Sequence, residues 1–168
     1  MMQHSNGKNF PVLALILLIS FSTATSAFSQ ASTLESQAAS IGKKASILSD
    51  YLQDLDSFEK SFAERRMTAE FLNVNLAFSA CLQQATIAYS VALLLRVYSR
   101  ISTSRDRDSV RPWIKETLKA HSSGLERSIE HVNYAVAQAQ NQGVALTATR
   151  LRDNLREIKN LYDSITLP

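Results

Sequence analysis

The chain has 168 residues, with 18 Lys and Arg against 15 Asp and Glu, and a net charge of +3 is too small an excess to argue for a nucleic-acid partner. Its 4 glycines and 3 prolines are too few to punctuate a sheet protein. The single cysteine, Cys81, excludes an internal disulfide, so packing alone must hold the fold.

The chain opens with MMQHSNGKNF, which carries Lys8 and no acid. Residues 11–21 (PVLALILLISF) are apolar apart from Ser20, and small residues follow in STATSAFSQA. This is the order of a secretory signal peptide, with basic, apolar and small-residue regions in turn. Thr25 and Ala27 suit the positions before the cut, which places cleavage after Ala27, with Ala24 and Ala31 as alternatives. The apolar run is about half of the ~20 residues that span a bilayer, which favours cleavage over an uncleaved anchor. The mature domain is then 28–168, exported to the periplasm or the exterior.

Four segments carry apolar residues at alternating steps of three and four, the spacing that gathers side chains on one stripe of a helix. The first, 32–64, repeats Leu34, Ala38, Ile41, Ala45, Leu48, Leu52, Leu55, Phe58 and Phe62, and Ser32 with Glu35 reads as a capping box at its start. A helix from there to Ser102 would run about 105 Å, too long for a domain of this size, so a turn or kink is expected near ERRMT (64–68), with Thr68 a candidate N-cap. The second segment, 68–102, repeats Met67, Phe71, Val74, Phe78, Cys81, Ala85, Ala88, Ala92 and Leu95. The polar stretch 99–112 reads as a loop closed by Pro112. The third segment, 110–141, carries Val110, Ile114, Leu118, Leu125, Ile129, Val132 and Val136, and Gly143 reads as a left-handed stop after it. The fourth, 146–166, carries Leu151, Leu155, Ile158, Tyr162 and Ile165. Gly42 and Gly124 fall inside helical patterns and mark candidate kinks.

Residues 71–95 contain no charged side chain and are long enough for a membrane span. They also hold Asn75, Ser79, Gln83, Thr86 and Ser90, which share an arc of roughly 80°. Amides facing hydrocarbon without partners would each cost about several kcal/mol. A second apolar stripe, Leu72, Leu76, Ala80, Ile87, Val91 and Leu94, accompanies the first. Two apolar stripes and one polar seam describe the central helix of a bundle, touching neighbours on two sides. The expected fold is all-α: an elongated up-down-up-down antiparallel four-helix bundle after a cleaved signal peptide. The fourth helix is the shortest, which leaves an expected open groove at one end.

No catalytic, metal or cofactor constellation emerges. His121 and His131 are ten residues apart and out of phase, and Glu126, Glu130 and His131 lack the Glu-x-x-His spacing of di-iron bundles. Cys81 lies in the apolar stripe and reads as a small core side chain. No nucleophile turn or Gly-rich oxyanion loop is present, so the sequence leans away from an enzyme. The candidate interaction surface is the basic zone Arg96, Arg100, Arg105, Arg107, Arg111, Lys115 and Lys119 with Trp113, a residue suited to protein interfaces and membrane surfaces. Acidic Asp50, Asp54, Asp56, Glu59 and Glu64 are expected at the opposite end.

Three functions compete. The first is an exported, non-enzymatic protein that binds another protein as a partner, inhibitor or chaperone. The second is a membrane-associated protein, held by its N-terminus or by 71–95 with peripheral lipid contact. The third is a metal- or cofactor-dependent bundle enzyme, which the residues support least. The heptad-like stripes also suit a homo-oligomer.

Overall fold

The computed structural model describes residues 29–51 and 69–168. The expected signal peptide, the break at 64–68, Thr68 and the acidic residues beyond Asp50 lie outside the described residues. Four helices occupy what is described: α1 over 29–51, α2 over Ala69–Ser99, α3 over Ser104–Gln138 and α4 over Gln142–Ser164.

Side-chain partners fix the direction of each helix. Ser99 donates to Glu35, while Gly42 faces Ala92, so seven residues forward along α1 match seven backward along α2. Gln37 reaches Ser164 and Lys44 pairs with Glu157, which sets α1 antiparallel to α4. Arg111 reaches Tyr98 and Gly124 faces Gln84, which reverses α3 on α2. α2 and α4 both oppose α1 and α3 opposes α2, so α4 runs antiparallel to α3, to which Ser122 joins it by donating to Asp163 at 2.7 Å. The contact of α2 with α4 is much the smallest among those of α2, α3 and α4, which marks these two as diagonal. The result is an up-down four-helix bundle.

The core follows the apolar stripes. Leu34, Ala38, Ile41, Ala45 and Leu48 of α1 are buried, as are Val74, Phe78, Cys81, Ala85, Ala88, Ala92 and Leu95 of α2. Ile114, Leu118, Leu125, Ile129 and Val132 of α3 are buried in the same cluster as Leu151, Leu155, Ile158 and Tyr162 of α4. Val110, Val136 and Ile165 are only half-buried at the ends of their stripes. The alanines of α2 are short enough for α1 to lie close, and a Cβ added at Gly42 would sit 3.8 Å from that of Ala92.

Several local expectations are corrected. Ser32 is not the cap of α1: it lies inside the helix, donates to the Ser29 carbonyl at 2.8 Å, and leaves Glu35 to Ser99 and Arg100. The expected loop 99–112 shrinks to residues 100–103, because Thr103 caps a helix that starts at Ser104 and carries Pro112 inside it. The Thr103 hydroxyl accepts from the Asp106 N–H at 3.3 Å and donates to the Asp106 carboxylate at 2.5 Å, so it caps one early amide while the carboxylate holds the hydroxyl in place. Gly143 does not end α3; it lies in the first turn of α4, where its N–H donates to the side chain of the N-cap Asn141 at 2.9 Å. α1 and α3 run as uninterrupted helix through Gly42 and Gly124.

The expected groove beyond the end of α4 is also filled. Residues 165–168 continue past Ser164 with Ile165 and Leu167 packed on the core. The Pro168 backbone oxygen accepts from Tyr98 at 3.0 Å and from Arg111 at 2.5 Å. Tyr98 is buried at this junction, so one phenol ties α2, α3 and the tail together.

Candidate interaction surface

α2 has apolar side chains around its whole circumference, and its neighbours cover only part of it. Leu72, Leu76, Leu82, Tyr89, Leu93 and Val97 project outward, with Leu76 68% and Leu93 64% exposed. The polar seam expected to meet solvent does so: Asn75, Ser79, Gln83, Thr86 and Ser90 are all exposed. The second apolar stripe is only partly covered. Val91 is buried, Ala80, Ile87 and Leu94 are half-buried, and Leu72 and Leu76 lie in the open. Soluble bundles normally present charge on an outer face. This one carries none from Leu72 to Leu95.

Two hydroxyls on this face have partners within the helix. Thr86 donates to the Leu82 carbonyl at 3.2 Å and Ser90 to the Thr86 carbonyl at 3.1 Å. Hydroxyls bonded back one turn reach a dry contact already partnered, so covering them costs little. Among the described residues α2 is the one helix long and apolar enough to cross a membrane, over Leu72–Ser99, with 44% of its most apolar window buried inside the bundle.

A furrow runs between α2 and α3 beside this face. Near the 100–103 connection it widens to about 430 Å³ between Leu93, Leu94 and Val97 of α2 and Trp113 and His121 of α3. Trp113 is 58% exposed there, an indole with nothing over its outer face among the described residues. Further along, about 390 Å³ opens over Gln84, Gly124, Arg127 and His131, with no acid in the lining. Gln84 is buried with its side-chain oxygen unpartnered, and its amide nitrogen would be 3.4 Å from a Cβ at position 124. A side chain at position 124 would thus touch the amide end of Gln84 at ordinary contact distance. His121 and His131 line the same furrow about 15 Å apart along α3, too far for one metal ion. Burial lowers the His121 pKa and favours its neutral ring.

The basic residues do not share a single surface with Trp113. Arg96 and Arg100 stand exposed at the end of α2, and Arg100 approaches Glu35 at 3.6 Å. Arg105 is exposed in the first turn of α3 and Arg107 is half-buried. Arg111 turns inward to Tyr98, Pro168 and Asp108, the last at 3.0 Å. Lys115 and Lys119 lie on the α4 side, beside a hollow of about 280 Å³ bordered by Ser122 and Asp163. Asp163 accepts from Lys159 and Ser122, bonds that hold its carboxyl below the usual range. Asp50, on the last described turn of α1, is level with about Gln84, midway along α2.

Among the described residues, no group of three or more His, Cys, Asp or Glu gathers to hold a metal ion. Cys81 is fully buried, and burial pushes its thiol up to about 12, which leaves no thiolate for chemistry. The outward residues Leu82, Tyr89, Leu93 and Val97 were not singled out by the apolar spacing. Their signal was present in the charge-free run, because two covering neighbours leave about half of a helix's circumference open. Comparison with protein-family models, curated proteins and solved structures returns no match to this chain.

Proposed function

We propose that this chain is an exported, non-enzymatic binding protein whose working surface is the outer face of α2 with the adjoining α2–α3 furrow. The observation that carries the reading is a bundle helix presenting six large apolar side chains to the outside and no charge from Leu72 to Leu95. Scattered exposed leucines need no explanation, whereas six large apolar side chains on one helix that carries no charge mark a contact site. Exposed Trp113 suits such a site, since large aromatics dominate binding energy at protein interfaces. Its order of basic, apolar and small residues supports the N-terminus as an export signal.

The test is a comparison of the tagged native protein with Leu93→Glu, a change at an exposed site. Cross-linking followed by capture is expected to recover a partner with the parent and to lose it with the variant, while circular dichroism stays unchanged. Equal recovery from both would remove this face from the function.

A second reading is favoured by the length and apolar character of α2, namely that the same face rests on lipid. Fractionation separates the two: recovery of the processed protein in the soluble fraction supports protein binding, and recovery with membranes supports lipid contact.

A further inference from the structure

Eight positions of α2 share one exposed line at alternating steps of four and three: Leu72, Leu76, Ser79, Gln83, Thr86, Ser90, Leu93 and Val97. That spacing is the seam of a coiled coil. It is also palindromic in character. Reversal about a point between Gln84 and Ala85 exchanges Leu72 with Val97, Leu76 with Leu93, Ser79 with Ser90, and Gln83 with Thr86. Every apolar position is exchanged with an apolar one and every polar position with a polar one.

We propose that this seam closes on a second copy of the same chain, antiparallel about a twofold axis near Gln84 and Ala85. The inference rests on reading the α2 face as an interaction surface and names its partner. A twofold interface uses one patch twice, so the patch must be complementary to its own reverse. Across the axis, Leu76 meets the partner's Leu93 and Leu72 meets the partner's Val97. The Ser79–Ser90 and Gln83–Thr86 pairs occupy the middle. Thr86 and Ser90 already have acceptors in their own helix, so their hydroxyls enter the contact without loss.

Charge selects the antiparallel arrangement. A parallel pair would stack Arg96 and Arg100 on their own copies, with like charges at one end. The antiparallel pair carries the two Arg96 side chains to opposite ends, about 35 Å apart along the seam and well beyond the ~8 Å screening length at physiological salt. Trp113, beside Val97 in the furrow, then flanks the partner's Leu72 and extends the apolar contact.

The test uses two single variants of the full exported chain, Leu76→Cys and Leu93→Cys, purified separately. Cys81 is retained, because it is fully buried. Under mild oxidation a mixture of the two is expected to form a disulfide-linked dimer, and neither alone is, since like positions lie about 25 Å apart across the axis. Light scattering of the parent protein over a concentration series is expected to give twice the chain mass. Leu93→Glu is expected to weaken self-association by about thirtyfold or more. Disulfides within each single variant would mean a parallel pair and overturn the proposal. A monomer mass at every concentration, with no disulfide in the mixture, would overturn it too. In that event sedimentation with vesicles containing anionic phospholipid distinguishes a lipid-facing seam. The broader binding reading falls only if Leu93→Glu also leaves captured partners and vesicle binding unchanged.

Discussion

Gly42 faces Ala92 where α1 and α2 lie close, although its place in an apolar repeat alone reads as a kink. A Cβ there would meet the Ala92 methyl at 3.8 Å, an ordinary van der Waals distance. Gly42→Ala is therefore expected to stabilise the bundle by about 0.5–1 kcal/mol through helix propensity, read as a higher midpoint in denaturant. Gly124 faces a polar neighbour instead, the Gln84 amide, which would stand 3.4 Å from a new methyl. Nothing in the repeat around either glycine distinguishes them. The residue opposite does, and it comes from another helix.

α3 shows how a short polar cap can outweigh composition. Residues 104–112 are charged and end in proline, and such a run reads as a loop. The Thr103 hydroxyl instead satisfies the early amide of Asp106, whose carboxylate steadies it, and the exposed first turns extend from a body anchored by buried Ile114 and Leu118. Thr103→Ala is expected to cost about 1 kcal/mol and to speed amide exchange in the first turn of α3 while leaving α4 unchanged. The cap motif was present in the letters as Thr-x-x-Asp, but the charges around it masked the signal. The opposite error came at Ser32 and Glu35, where the right letters form no cap because the helix already includes both.

At the scale of the molecule, Cys81 reports on the whole bundle. It lies at the centre of α2, fully buried, with its thiol held neutral. Labelling by a thiol reagent is expected to be negligible in the native protein and to follow opening of the bundle, so Leu155→Ala, costing about 2–5 kcal/mol, should speed it in proportion to the lost stability. Rapid labelling of the native protein would show instead that α2 opens locally.

The all-helical class, the apolar stripes and the buried place of Cys81 were legible in the amino-acid order alone, because helical periodicity is a local property that each segment carries independently. The helix ends at Thr103 and Asn141, the filling of the groove by residues 165–168, and the exposure of Leu93 beside Trp113 required the folded chain. Which stripe of a doubly apolar helix is covered depends on the number and direction of its neighbours, and neighbours in a bundle are set by packing between residues far apart in sequence.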